Sequence, residues 1–144
     1  MQLPSPDILS EHIKNNPKFF PFFKDALGAI DGTHIPCFPP ATERACYRDK
    51  DGNITQNVLA ACTFEMHFCY ILSGWEGSIA DSFLFDKARA AGLQIPDGKY
   101  YLADAGFACC DSLLVPYRGT SYHLREWGLS DAQYVFMSPI ACLI

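Results

Sequence analysis

At 144 residues the chain is sized for one domain, and a composition that is 49% hydrophobic, 14% aromatic and 19% charged excludes a disordered polymer. A formal net charge of −5 and a pI near 5.2 exclude a protein that coats nucleic acid through a basic stripe, because phosphate neutralisation needs clustered Lys and Arg. No apolar run approaches the ~18 residues of a membrane-spanning helix, and the opening MQLPSPDILSEHIKNN has no apolar core of signal-peptide type.

Residues 7–16 (DILSEHIKNN) predict a short helix with Ile8, Leu9 and Ile13 on one face and Asp7 as its cap. The following KFFPFFKDALG is aromatic and broken by Pro21, so Phe19, Phe20, Phe22 and Phe23 are expected to pack against a domain. LGAIDGTHI at 27–35 reads as a strand ended by Pro36, Pro39 and Pro40. The polar stretch 41–54 carries a turn signal at Asp51-Gly52.

Residues 55–63 (TQNVLAACT) and 66–73 (MHFCYILS) predict a hairpin of apolar strands covered on both faces. A glycine-containing loop follows at 74–78, then a helix at 80–91 with Phe83, Leu84 and Ala88 toward the core and Gly92 at its end. KYYLAD at 99–104 reads as a fourth strand and SLLVPY at 112–117 as a short fifth, with Pro116 placing it at an end or an edge. A hairpin followed by a helical crossover predicts an α/β fold with a mixed sheet, the fourth strand parallel to an earlier one. The last segment, SDAQYVFMSPIACLI, matches no clear element.

The seven cysteines (Cys37, Cys46, Cys62, Cys69, Cys109, Cys110 and Cys142) include no Cys-x-x-Cys pair and are odd in number. They are expected to be free, mostly buried thiols of a reducing compartment, and their spacing does not suit structural zinc.

Two aspartates carry the chemistry. Asp31 and Asp104 each lie in an apolar strand segment, where aspartate is depleted, and each is followed closely by glycine (Gly32, Gly106). A carboxylate so placed needs a partner. Two of them on neighbouring strands can share hard cations such as Mg²⁺ or Mn²⁺, which activate water and stabilise a leaving oxygen in phosphodiester cleavage. The plain alternative for each is a turn or cap residue at a strand end.

Other polar residues carry less. His34, an odd number of positions from Asp31, falls on the opposite strand face and reads as a supporting or core histidine. His67 reads as structural, and Asp81 as a charge opening the helix. Lys99, Arg118, Arg125 and His123 are phosphate-contact candidates for which solvated surface is the stronger reading. Walker and G-x-G-x-x-G patterns are absent.

Five ordered segments then carry a specific resemblance: GAIDGTHIP at 28–36, QNVLAAC at 56–62, GWEGSIADS at 74–82, GKYYLADAGF at 98–107 and PYRGTSYHLREW at 116–127. Together they resemble the PIF/Harbinger superfamily of DDE transposases and the nucleases derived from them, plant members most of all. The resemblance implies a ribonuclease-H-like core, metal-dependent DNA cleavage and strand transfer, a DNA partner and a nuclear location. It maps the first catalytic aspartate onto Asp31 and the second onto Asp104, both as ligands of Mg²⁺ or Mn²⁺; Asp81 matches a further acidic position.

The family's glutamate belongs to a later, arginine-rich helix that has no counterpart before Ile144, and Glu126 does not map to it. The expected organisation is a helical and aromatic lead-in at 1–26, a C-terminally truncated nuclease core at 27–128 and a divergent tail at 129–144. The expected activity is weak or absent for the chain alone. A catalytically inactive interaction module that relies on a partner protein for DNA binding, and a gene fragment, are the alternatives.

Overall fold

The computed structural model describes residues 1–117. Arg118, His123, Arg125, Glu126, Cys142 and the segment 129–144, on which several expectations rest, lie outside them.

The first helix, α1 (Glu11–Lys14), is shorter than expected. Ser10 rather than Asp7 caps it, its hydroxyl accepting from the His12 amide at 3.2 Å. Pro17 disfavours helical backbone at Asn16 and stops the turn. Of the four phenylalanines that follow, Phe19 and Phe23 pack with Ile13, Ala26, Tyr100 and Leu102, whereas Phe20 and Phe22 are exposed. The aromatic stretch is thus only half used for packing.

Five strands build the sheet: β1 (Ala26–Pro36), β2 (Thr55–Cys62), β3 (Phe68–Glu76), β4 (Tyr100–Leu102) and β5 (Leu113–Leu114). Their order is β3-β2-β1-β4-β5. β1, β2 and β3 pair antiparallel in sequence, and β4 pairs parallel to β1 and to β5. This is an α/β mixed sheet with the order and strand directions of a ribonuclease-H-like core, and the expected parallel placement of the fourth strand holds. The β4–β5 connection contains no α-helix.

β3 runs three residues beyond its expected end. Gly74 does not open a loop; its φ of +89° accommodates a register shift between the Asn57↔Trp75 and Leu59↔Leu72 pairs. The bulge lets the strand resume through Glu76. Gly28 is required for a different reason: a Cβ there would lie 2.0 Å from the Cys62 carbonyl oxygen, so only glycine lets β1 approach that backbone.

The second helix, α2 (Asp81–Ala90), packs on β1, β2 and β3 through Leu84, Phe85 and Ala88. They meet Leu27, Ile30, Leu59, Tyr101 and Phe107 in the main core. Positions 84, 85 and 88 follow the helical period, which leaves Phe83 on the flank, 41% exposed and edge-on to Trp75 at 5.6 Å. Phe85, not Phe83, is the aromatic of the core. The other sheet face is covered near α1 by the cluster of Ile13, Phe23 and Ala26, and beside it by Ala29 and Cys62 with Leu102. Among the described residues no helix is long and apolar enough to cross a membrane.

Candidate functional site

The pairing of β1 with β4 ends at Ala29↔Leu102. Two residues further along each parallel strand stand Asp31 and Asp104. Equal steps beyond one paired rung bring the two positions to the same level of the sheet. Asp31 is not a turn residue. It lies inside β1, whose ladder with β2 continues from Asp31↔Ala60 to Pro36↔Thr55. Its other flank is open because β4 has already stopped.

The Asp31 carboxylate is half-buried, and Oδ1 accepts from the Gly32 amide at 2.8 Å. Burial pushes its pKa up to about 6; the Gly32 N–H works against this, and the charges of Asp104 and Asp81 add to it. Asp104 is exposed just after β4, and its Oδ1 accepts from the Gly106 amide at 2.8 Å, which folds the chain back at that point.

Asp81 opens α2, as expected of a helix-initiating charge, but it does more. A Cβ on Gly32 would lie 2.0 Å from Asp81 Oδ1, so the missing side chain of Gly32 is the space this carboxylate occupies. Asn57, 1% exposed on β2, fixes it: Nδ2 donates to Asp81 Oδ1 and to the Ile79 carbonyl, both at 2.9 Å. Asn57 Oδ1 is buried with no hydrogen-bond partner and would lie 3.2 Å from that same Cβ.

Asp31, Asp81 and Asp104 border one cavity of about 590 Å³, together with His34, Asn57 and residues 48–50 of the β1–β2 connection. His34 stands an odd step from Asp31, yet both line the cavity. It is exposed rather than a core histidine, with Nδ1 at 3.0 Å from Thr55 Oγ1. His67 is also exposed, in the turn before β3 rather than within that strand. Lys99 is not directed at the cavity; its Nζ pairs with Asp25 Oδ1 at 3.0 Å.

Sequence reasoning missed Asn57, Arg48 and Lys50. A buried-strand reading of QNVLAAC carried a signal for the first, since an asparagine inside an apolar run must find partners. Nothing in the polar stretch 41–54 marked the other two. The cysteines depart from expectation as well: Cys62 and Cys69 are buried, but Cys46, Cys109 and Cys110 are exposed. Among the described residues no group of three or more His, Cys, Asp or Glu is arranged to hold a metal ion.

The family model described as DDE superfamily endonuclease matches residues 30–143, and the chain belongs to that family. It is 28% identical over 120 residues to Protein ALP1-like of Arabidopsis thaliana, a match that covers 71% of this chain and 30% of that protein. The chain therefore spans less than a third of the length of that relative. No solved structure matches it.

Proposed function

We propose that the chain carries the two-aspartate half of a Harbinger-type, transposase-derived nuclease centre, acting on DNA in the nucleus, with Asp31 and Asp104 as ligands of Mg²⁺ or Mn²⁺. The observation that carries this reading is the equal offset of the two carboxylates beyond the Ala29↔Leu102 rung, at the mouth of one cavity.

The donor set suits a hard cation. Both groups are oxygen ligands of the kind such ions take. Asp31 is half-buried beside two further carboxylates, with no cation in the described cavity wall paired to it, and a bound cation would relieve that crowding. The partnerless Oδ1 of Asn57 adds another hard oxygen nearby. With its pKa near 6, Asp31 is mostly ionised at neutral pH and able to act as a ligand. Gly32 and Asn57 keep the Asp81 carboxylate against the site, where it deepens the negative potential. When bound, the ion supplies Lewis-acid polarisation of a phosphodiester oxygen.

The test is Mn²⁺ binding followed by electron paramagnetic resonance, with nicking of supercoiled plasmid in parallel, for the purified chain and for Asp31→Asn and Asp104→Asn. Each substitution should weaken Mn²⁺ binding and remove whatever nicking is present. Mn²⁺ affinity unchanged in both variants would overturn the proposal and leave the interaction-module reading in its place.

A further inference from the structure

The cavity that holds the carboxylates carries charge of both signs. Its lining includes residues 48–50, and two of these, Arg48 and Lys50, are cations. We propose that Arg48 and Lys50 form a phosphate clamp for the DNA backbone, gripping it in the cavity that Asp31 and Asp104 also line. The inference rests on the nuclease reading and names the groups that would hold its substrate.

Three observations support it. First, neither cation is held in an ion pair among the described residues, unlike Lys14, which pairs with Glu11, and Lys99, which pairs with Asp25. Arg48 uses Nη1 on the Gly52 carbonyl at 3.0 Å, and the Lys50 ammonium makes no hydrogen bond among the described residues. The acidic residue between them, Asp49, is committed to its own turn: Oδ1 accepts the Asn53 amide at 2.8 Å and the Asp51 amide at 3.0 Å. The Asn53 amide side chain and the Thr55 hydroxyl add to these bonds on Oδ2. Asp49 is thus oriented by its own turn and held ionised, and the tripeptide keeps a net positive charge.

Second, the wall is fixed to the site rather than hung on a loose loop. The Thr55 amide donates to the Tyr47 carbonyl at 2.8 Å, and the Ser78 amide donates to the Cys46 carbonyl at 3.3 Å. Arg48 forms a bridge with Ile54. Gly77 lets these segments close, since a Cβ there would lie 2.5 Å from the Thr55 carbonyl and 2.7 Å from the Tyr47 carbonyl. The base of the cationic pair is therefore anchored to both β2 and the approach to α2.

Third, the chemistry demands such a wall. A phosphodiester brought to Asp31, Asp81 and Asp104 meets like charge, in a chain whose net charge of −5 gives no general attraction. Two cations on the lining of the same cavity supply the missing attraction where it is needed. They also set the strand's position without reading its sequence.

The experiment is fluorescence anisotropy of a labelled duplex oligonucleotide binding to the full chain, in Ca²⁺ buffer, across a series of KCl concentrations. Each phosphate contact contributes about −0.9 to the slope of log affinity against log salt. Arg48→Ala and Lys50→Ala should each make that slope shallower by about 1 and weaken binding equally on unrelated sequences. Arg48→Lys should restore the slope, and Lys14→Ala, on α1, should leave it unchanged. Circular dichroism melts identical to wild type establish that the variants are folded.

Slopes and affinities of Arg48→Ala and Lys50→Ala equal to wild type would overturn the clamp. If the Mn²⁺ and nicking results still depend on Asp31 and Asp104, the nuclease reading survives that loss. Failure of the wild-type chain to bind the duplex even at low salt overturns the clamp as well.

Discussion

Asn57 holds Asp81 through a 2.9 Å hydrogen bond from Nδ2, while its own Oδ1 is buried without a partner. The amide is therefore committed on one side and unsatisfied on the other. Asn57→Ala removes the donor to a carboxylate and to the Ile79 carbonyl, and is expected to lower stability by about 1–3 kcal/mol. Asn57→Asp should cost more, because it buries a second negative charge against Asp81. Urea unfolding of the three proteins measures this, and equal midpoints for wild type and Asn57→Ala would show that the bond contributes nothing.

Asp31 makes stability depend on pH in a direction opposite to that of a salt-bridged carboxylate. Its pKa rises from 3.8 to about 6 on folding, chiefly through burial. Between those values the folded chain holds a proton that the unfolded chain has lost, so this group's contribution falls as pH rises through the window. Asp31→Asn mimics the neutral form. Its stability relative to wild type should be level below about pH 4, climb through about pH 6 and then stay constant. Denaturation in EDTA at stepped pH reads this out; a gap that does not change with pH would remove burial as the cause.

Gly28 and Gly74 offer a matched comparison. A Cβ at Gly28 meets the Cys62 backbone oxygen at 2.0 Å, and a backbone atom cannot swing aside. Gly28→Ala should therefore cost about 3 kcal/mol, at the upper end of overpacking effects. At Gly74 the space is open and only the φ of +89° resists, so Gly74→Ala should cost about 1–2 kcal/mol. Thermal melts that rank the two the other way would place the strain in the bulge instead.

The helix register gives a fourth expectation. Leu84 is fully buried against the sheet, and Leu84→Ala should cost about 2–5 kcal/mol through the cavity it leaves. Phe83→Ala removes a larger side chain but from the flank beside Trp75, and should cost less. A greater loss at Phe83 would mean that α2 is rotated from the packing described above.

The mixed sheet was legible where hydrophobic pattern and connection length constrain it. The apolar runs at 55–63 and 66–73, followed by a helical period, leave few topologies besides a hairpin and a crossover to a parallel strand. One strand end was misread, because a Gly-Trp after Ser73 looks like a turn in one dimension. Pairing with β2 overrides it.

The aspartates could be found because charge in an apolar run is conspicuous. Arg48 and Lys50 could not, since they sit in a polar stretch where charge is ordinary. Only the closure of that stretch onto Gly77 reveals the cavity they border. Lys99 illustrates the converse: a basic residue beside a catalytic-looking strand can be spent on a partner such as Asp25 that is 74 positions away.

That ion pair has a reach beyond its own surface. Asp25 and Lys99 immediately precede β1 and β4, where the Tyr100 amide also donates to the Asp25 carbonyl at 3.3 Å, so the two strands are pinned at the end remote from the carboxylates. Parallel strands transmit a lengthwise displacement undiminished. A slip of β4 by one side-chain period would carry Asp104 roughly 6.6 Å past Asp31, more than a single ion can straddle. The alignment of the two acids is therefore inherited from a latch at the opposite rim of the sheet.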